Sequence, residues 1–153
     1  MSLRARFTAD LKTAMVAKEQ DKVSTLRLIM AALKDKDIAA RPSGVTDGIP
    51  DDQILSLLQG MIKQRRESIE QFEKGNRPEL AAREQAEITV IETYLPAQMS
   101  DTEVESAIES AVKAAGATSI KDMGKVMAEI KQKYAGQMDF TKASALVKQK
   151  LAG

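Results

Sequence analysis

Apolar residues recur at helical spacing along almost the whole of this 153-residue chain. Intervals of three and four residues place them on one face of a helix, and no stretch of useful length alternates apolar and polar residues as a half-buried strand would. Glycines and prolines interrupt the pattern at points where one helix can end and the next can begin. The sequence therefore predicts an all-α protein of seven helices.

The N-terminal part of the chain predicts an antiparallel bundle of four helices. Apolar stripes indicate helices over about 3–18 and 23–40, and the short turn between them favours antiparallel packing. After a loop rich in proline and glycine, a third helix is expected over about 52–74. The fourth helix begins near Pro78 and must end by Pro96, because proline cannot continue a helix.

The remaining residues predict a smaller, three-helix domain, so the domain boundaries are 1–96 and 97–153. Residues 100–103 have the pattern of a capping box, which starts the fifth helix. Residues 119–122 have a weaker form of the same pattern before the sixth helix. Gly136 is expected to end that helix, and the seventh follows it.

The composition removes most catalytic equipment. The chain has no cysteine and no histidine, which excludes thiolate chemistry and every nucleophile activated by histidine. Glu67, Glu70 and Glu73 lie three residues apart on the third helix, and Glu84 and Glu87 do so on the fourth. They could face one another, but di-metal bundles pair such glutamates with histidines. We expect these glutamates to pair with basic neighbours four residues away, and Arg65, on the apolar seam, to find a carboxylate within the chain. We expect no metal, no cofactor and no catalytic residue.

Positive charge is concentrated near the C-terminus. The whole chain carries 23 basic and 22 acidic residues, yet 119–153 holds seven lysines against three acidic residues. Such an excess can favour an anionic partner, although solvated lysines on helix surfaces are the commoner explanation. Aromatic residues make up only 3% of the chain, so a nucleic acid would be held through its phosphates rather than by base stacking.

Four segments carry a resemblance to a known family, and they are residues 24–27, 63–72, 94–98 and 119–127. The sequence resembles the YqeY family, small proteins grouped with the tail of the B subunit of the glutamyl/aspartyl-tRNA amidotransferase. The resemblance covers essentially the whole chain. It implies an N-terminal helical bundle joined to a small C-terminal domain of three helices.

The resemblance also implies a contact with tRNA, because the equivalent tail of the amidotransferase subunit touches tRNA. In that tail a glycine is followed, after eleven residues, by Gly-Lys-Ala-Asn. Here Gly124 is followed after eleven residues by Gly136, with Gln137 in place of the lysine and Asp139 in place of the asparagine. The candidate RNA-binding residues are Lys121, Gly124, Lys125, Lys131, Lys133, Gly136, Gln137 and Lys142.

The sequence thus predicts a non-catalytic helical accessory protein. Its expected partner is either tRNA itself or an enzyme that modifies or aminoacylates tRNA. One alternative is a protein-interaction module without an RNA role, which would use the apolar seam of the N-terminal bundle. The other is the family's carbon–nitrogen ligase activity with glutamine as amido-N-donor, chemistry that needs ATP-binding and glutaminase domains. No apolar run reaches the roughly 18 residues that span a membrane, and no secretory signal is visible. We therefore expect no membrane partner and a cytoplasmic location; the oligomeric state stays open.

Overall fold

The computed structural model of the chain describes residues 2–152. Within that range it contains seven α-helices and two short 3-10 turns, with no β-strand, which confirms the prediction of an all-α fold. The helices form two compact units, Met1–Leu95 and Pro96–Gly153. Each unit encloses its own apolar core.

The N-terminal unit contains four helices, which are α1 (Leu3–Val16), α2 (Gln20–Ala40), α3 (Asp51–Lys74) and α4 (Pro78–Glu92). Helix α1 packs on α2, α3 packs on α4, and α2 contacts both members of the second pair. Their apolar stripes converge on a core whose largest fully buried side chains are Phe7, Leu26, Ile29, Ile54, Leu58, Ile88 and Ile91. Burial of these side chains is the main favourable contribution to the stability of the unit.

Hydrogen bonds hold the loop between α2 and α3 against the first turn of α1 and the last turns of α2. Arg4 donates hydrogen bonds to the Asp37 carboxylate and to the carbonyl of Ile49, and the Ile49 N–H donates to Asp37 at 2.9 Å. The Arg4 guanidinium, together with the Ile49 N–H, lowers the pKa of Asp37 to about 2. Gly48 has a φ of +94°, and a Cβ at this position would lie 2.5 Å from Arg4 Nη2. The hydrogen bonds among Arg4, Asp37 and Ile49 therefore leave no room for a side chain at position 48.

Arg65 of α3 confirms the prediction of an intramolecular partner. Its Nε lies 2.8 Å from Glu87 Oε2 and 3.9 Å from Glu84 Oε2, both on α4. The expected pairing of glutamates with neighbours four residues away holds for Glu70 and Lys74 at 3.6 Å. It is wrong for Glu84 and Glu87, because packing of α3 on α4 brings Arg65 closer to them than their own helical neighbours. Among residues 2–152, no group of three acidic side chains can hold a metal ion.

Tyr94 fixes the end of the N-terminal unit to α1. Its hydroxyl donates a 2.5 Å hydrogen bond to Asp10 Oδ2, and its ring meets Phe7 edge-on at a centroid distance of 4.8 Å. The Arg6 guanidinium carbon lies 4.9 Å from the centre of the Tyr94 ring. Burial and the hydrogen bond to Asp10 raise the pKa of Tyr94 above its usual value of 10.0. The segment 94–98 thus contributes a structural anchor.

The C-terminal unit contains three helices, which are α5 (Asp101–Ala115), α6 (Met123–Lys133) and α7 (Phe140–Ala152). The capping box predicted at the start of α5 is formed, with reciprocal hydrogen bonds of 3.2 Å between Ser100 and Glu103. A 3-10 turn, Ile120–Asp122, precedes α6. Helix α6 ends at Lys133, and Gly136, the residue expected to end it, lies in the turn that follows.

Candidate nucleic-acid interface

The start of α6 is organised by the carboxylate of Asp122. It accepts a hydrogen bond from the N–H of Thr118 at 3.0 Å and a longer one from the N–H of Ser119 at 3.4 Å. These two backbone donors hold the pKa of Asp122 below its usual range. The carboxylate therefore stays ionised and is directed onto the backbone that leads into the helix, where a negative charge also suits the helix dipole.

Two candidate lysines and one candidate glycine lie together at this end of α6. Lys121 and Lys125 are both exposed and are four residues apart across the junction of the 3-10 turn and the helix. Gly124, between them, is exposed, and a Cβ at this position would meet no described atom within 4 Å. The surface at Gly124, next to Lys125 in the sequence, is consequently open, and a ligand could approach the backbone closely there.

The two lysines at the far end of α6 do not share one face. Lys131 and Lys133 are both exposed, but side chains two residues apart on an α-helix point about 160° away from each other. Lys133 lies over the ring of Tyr134 at 5.6 Å and lines a small cavity of about 150 Å³ between α5 and α6. By the same geometry Lys133 is about 80° from Lys125 around the helix, and Lys131 about 120°.

Gly136 and Gln137 form part of the packed turn between α6 and α7. Gly136 is buried with a φ of +77°, and its carbonyl accepts a 2.6 Å hydrogen bond from the side-chain amide of Gln98. The carbonyl of Gln137 accepts a 2.9 Å bond from the N–H of Met99. The second glycine of the spaced pair therefore serves the fold of the turn, whereas Gly124 has no packing neighbour in the described part of the chain.

The last candidate, Lys142, is exposed in the first turn of α7. Asp139, immediately before that helix, accepts a 2.9 Å hydrogen bond from the N–H of Thr141, so its carboxylate is directed onto the helix end. Lys150, near the other end of α7, lies 2.6 Å from Glu109 of α5. Among residues 2–152 it is the one lysine of the C-terminal excess with a carboxylate oxygen within 4 Å.

Sequence reasoning missed an acidic surface in the same unit. Helix α5 exposes four acidic side chains and one lysine, so the positive excess of 119–153 has a negative helix in its own domain. A simple count over 101–118 would have revealed it. The negative charge of α5 therefore offsets part of the positive excess of 119–153 within the same unit. The acidic side chains are Asp101, Glu103, Glu105 and Glu109.

Comparison with known proteins matches residues 4–151 to the family described as Yqey-like protein. The chain belongs to the YqeY family. The match takes in both units and almost every residue that the structure describes, so family membership applies to the whole chain. It confirms the resemblance inferred from the four sequence segments.

Curated relatives of this YqeY-family chain are named "Altered inheritance of mitochondria protein 41, mitochondrial". The protein from Vanderwaltozyma polyspora is 32% identical over 120 residues, covering 74% of this chain and 63% of the relative. That from Lachancea thermotolerans is 37% identical over 91 residues, covering 60% and 46%. That from Pyrenophora tritici-repentis is 33% identical over 136 residues, covering 82% and 70%. The chain spans less than two thirds of the length of the first two.

These names contradict the cytoplasmic location expected from the sequence. The relatives are mitochondrial by name, and the expectation of a cytoplasmic location is wrong. The expectation was based on the residue pattern of the first positions, which does not distinguish one compartment from another. In residues 2–152 of this YqeY-family chain, no helix has both the length and the apolar character needed to cross a bilayer.

Proposed function

We propose that this YqeY-family protein is a non-catalytic accessory protein whose C-terminal unit binds tRNA through phosphate contacts at the start of α6. The observation that carries the proposal is that Lys121 and Lys125 are both exposed, four residues apart, with the open Gly124 between them in the sequence. Two exposed ammonium groups one helical turn apart can each meet a phosphate oxygen, and the absent side chain lets the nucleic acid backbone come near.

The surroundings of this surface support an anionic ligand. The Asp122 carboxylate takes backbone hydrogen bonds from Thr118 and Ser119, so it is oriented onto the protein rather than free to rotate outward. Lys133 and Lys142, both exposed, add positive charge around the α6–α7 turn. Lys131 points to another side of α6 and is assigned a weaker contribution because electrostatic attraction between exposed charges is screened over about 8–10 Å.

Gly136 and Gln137 enter the proposal in a different role. Their backbone carbonyls are engaged by Gln98 and Met99, so we assign them the task of holding the turn that presents Lys142. The proposal includes no bond-making step. Hydrolysis of glutamine by the purified chain would contradict its non-catalytic part and would favour the carbon–nitrogen ligase activity of the amidotransferase.

A salt titration of tRNA binding tests the proposal. Fluorescence anisotropy with labelled bulk tRNA is measured on the full chain between about 50 and 200 mM salt; three or four phosphate contacts give a slope of log affinity against log salt of about −2 to −4. The double variant Lys121→Gln/Lys125→Gln should reduce the magnitude of that slope by about 2. The matched control is Lys36→Gln/Lys63→Gln, which removes two exposed lysines from the N-terminal unit.

The outcomes separate the alternatives. Binding that the C-terminal double variant weakens and the control leaves intact supports the proposal. No binding at the lowest salt, or equal loss in both double variants, overturns it. Retention of an aminoacylating or tRNA-modifying enzyme by the chain, without any binding of free tRNA, would assign the surface to the enzyme instead.

A further inference from the structure

An open groove of about 420 Å³ lies between the N-terminal half of α1 and the C-terminal half of α2. Its floor is apolar, with the buried side chains of Phe7 and Leu33 below the half-exposed Met30. Its rim is formed by exposed residues, among them Thr8 from α1 and Lys34 from α2. The volume is in the range of sites that bind ligands or peptide side chains.

One end of the groove is closed by a rigid wall. Arg4 and Asp37 both line it, and they are locked together and to the backbone of Ile49. The charges of the pair cancel, since the Arg4 guanidinium donates two hydrogen bonds to the Asp37 carboxylate. The wall therefore offers a fixed shape, which reduces the ordering cost of binding, but no net charge.

Outside the Arg4–Asp37 pair, the charged residue that lines the groove in the described part of the chain is basic. Lys34 lines it, and Arg27 lies two turns earlier on the same side of α2, at positions that share a face with Met30. Lys12 follows the lining residue Thr8 by one turn of α1. All three cations are exposed, and none has a carboxylate oxygen within 4 Å among residues 2–152.

We propose that this groove binds an acidic amphipathic helix of a partner protein. The apolar side chains of such a helix fill the floor over Met30, and its flanking carboxylates meet Lys12, Arg27 and Lys34. Helix-in-groove recognition uses this combination of apolar anchors and a charged rim. Complementary charge speeds association and discriminates against basic partners.

An apolar floor distinguishes this surface from the start of α6. Phosphates are attracted by lysine and arginine but would leave the half-buried Met30 in contact with water, whereas leucine or isoleucine side chains would cover it. Among the described residues, Ile38 of α2 is 45% exposed and follows Lys34 by one turn and Ala31 by two, so it lies on the groove side of the helix. It extends the apolar character of this side beyond the groove and adds contact area for a bound helix.

Methyl and amide NMR of the full chain tests the inference. The probe is a synthetic helical peptide with leucine on one face and glutamate elsewhere, compared with the same peptide carrying lysine in place of glutamate. We expect the glutamate peptide to shift the Met30 methyl and the amides of Thr8, Ala31 and Lys34. We expect the lysine peptide to bind at least tenfold more weakly.

Two variants and two matched controls locate the site. Ala31→Phe places a ring in the groove, and Lys34→Glu reverses the rim charge; each should weaken binding of the glutamate peptide at least tenfold. Ala39→Phe and Lys36→Glu change exposed residues of the same helix that do not line the groove, and they should leave binding unchanged. Circular dichroism of all four variants verifies that α2 is intact.

Equal binding of both peptides, or peptide shifts that avoid Thr8, Met30 and Lys34, would overturn the inference. A third result would also overturn it. In that result tRNA, added to the same labelled sample, shifts the signals of the groove residues, and the glutamate peptide does not. Failure of tRNA to bind the C-terminal unit has no bearing on the groove, since the two experiments report on different units.

Discussion

Arg4 and Asp37 face each other through two charge-assisted hydrogen bonds, Nη1 to Oδ2 at 2.7 Å and Nη2 to Oδ1 at 2.6 Å. The pair links the first turn of α1 to the last turns of α2, 33 residues along the chain. Arg4 Nη2 also donates a 3.0 Å hydrogen bond to the carbonyl of Ile49, so the loop before α3 is held at the same point. One ion pair thus fixes three segments and one wall of the α1–α2 groove.

Replacing Asp37 with asparagine should destabilise the protein by about 1–2 kcal/mol at pH 7, because it weakens hydrogen bonds that carry charge. The native pKa of Asp37 is lowered from 3.8 to about 2, so its contribution is complete above pH 4 and is lost as the pH falls towards 2. Urea unfolding from pH 7 down to pH 2 measures this. A difference between wild type and Asp37→Asn that grows on acidification would contradict the assignment.

Gly48→Ala should lower the free energy of unfolding by about 1–3 kcal/mol. The φ of +94° is unfavourable for alanine, and the new methyl group would displace Arg4 from Asp37. Gly44→Ala is the matched control: its φ is +89°, but no described atom lies within 4 Å of a Cβ there. A greater loss of unfolding free energy in Gly48→Ala than in Gly44→Ala would measure the steric conflict with Arg4. Equal losses would show that Arg4 moves aside without cost.

Tyr94→Phe should cost about 1 kcal/mol at pH 7, since it removes the hydrogen bond to Asp10. The pKa of Tyr94 is raised in the folded state, so its stabilising contribution is complete below pH 10. It is lost above that value as the unfolded tyrosine ionises, by up to about 1.4 kcal/mol per pH unit. Denaturation of both proteins from pH 8 to 11 tests this. The stability difference should shrink above pH 10, and a constant difference would count against a protonated Tyr94.

Gly124→Ala separates stability from binding. No described atom obstructs a methyl group at this position, and alanine limits the unfolded chain more than glycine does, so stability should rise by about 0.4–1 kcal/mol. The same methyl group should weaken tRNA binding several-fold if the nucleic acid backbone approaches there. Thermal unfolding and anisotropy on one preparation report both effects. Higher stability with unchanged affinity would remove Gly124 from the proposed interface.

The helices could be predicted because their signals are local. The capping box at Ser100, the proline at position 78 and the short turn between α1 and α2 each depend on residues within a few positions of one another, although α1 ends two residues earlier than expected. The end of α6 could not be predicted in this way. The turn that contains Gly136 depends on hydrogen bonds from Gln98 and Met99, which lie 38 residues away in sequence.

The candidate sites also combine features that are local in the sequence with features that only the folded chain creates. The lysine excess and the family resemblance identified Lys121 and Lys125, but their exposure and the open space at Gly124 are properties of the folded unit. The groove escaped sequence reasoning because α1 and α2 supply one wall each, and because the fate of Asp37 depends on Arg4. A charge that looks free in the sequence can be cancelled by a distant residue.

The hydrogen bonds from Gln98 to Gly136 and from Met99 to Gln137 determine where a C-terminal fragment can be cut. A recombinant piece that starts at Ser100 keeps all three helices yet leaves both carbonyls of the α6–α7 bend without their donors. One that starts at Pro96 retains them. Expression of the shorter piece should therefore give a less soluble, more protease-sensitive product, even though every helix is present.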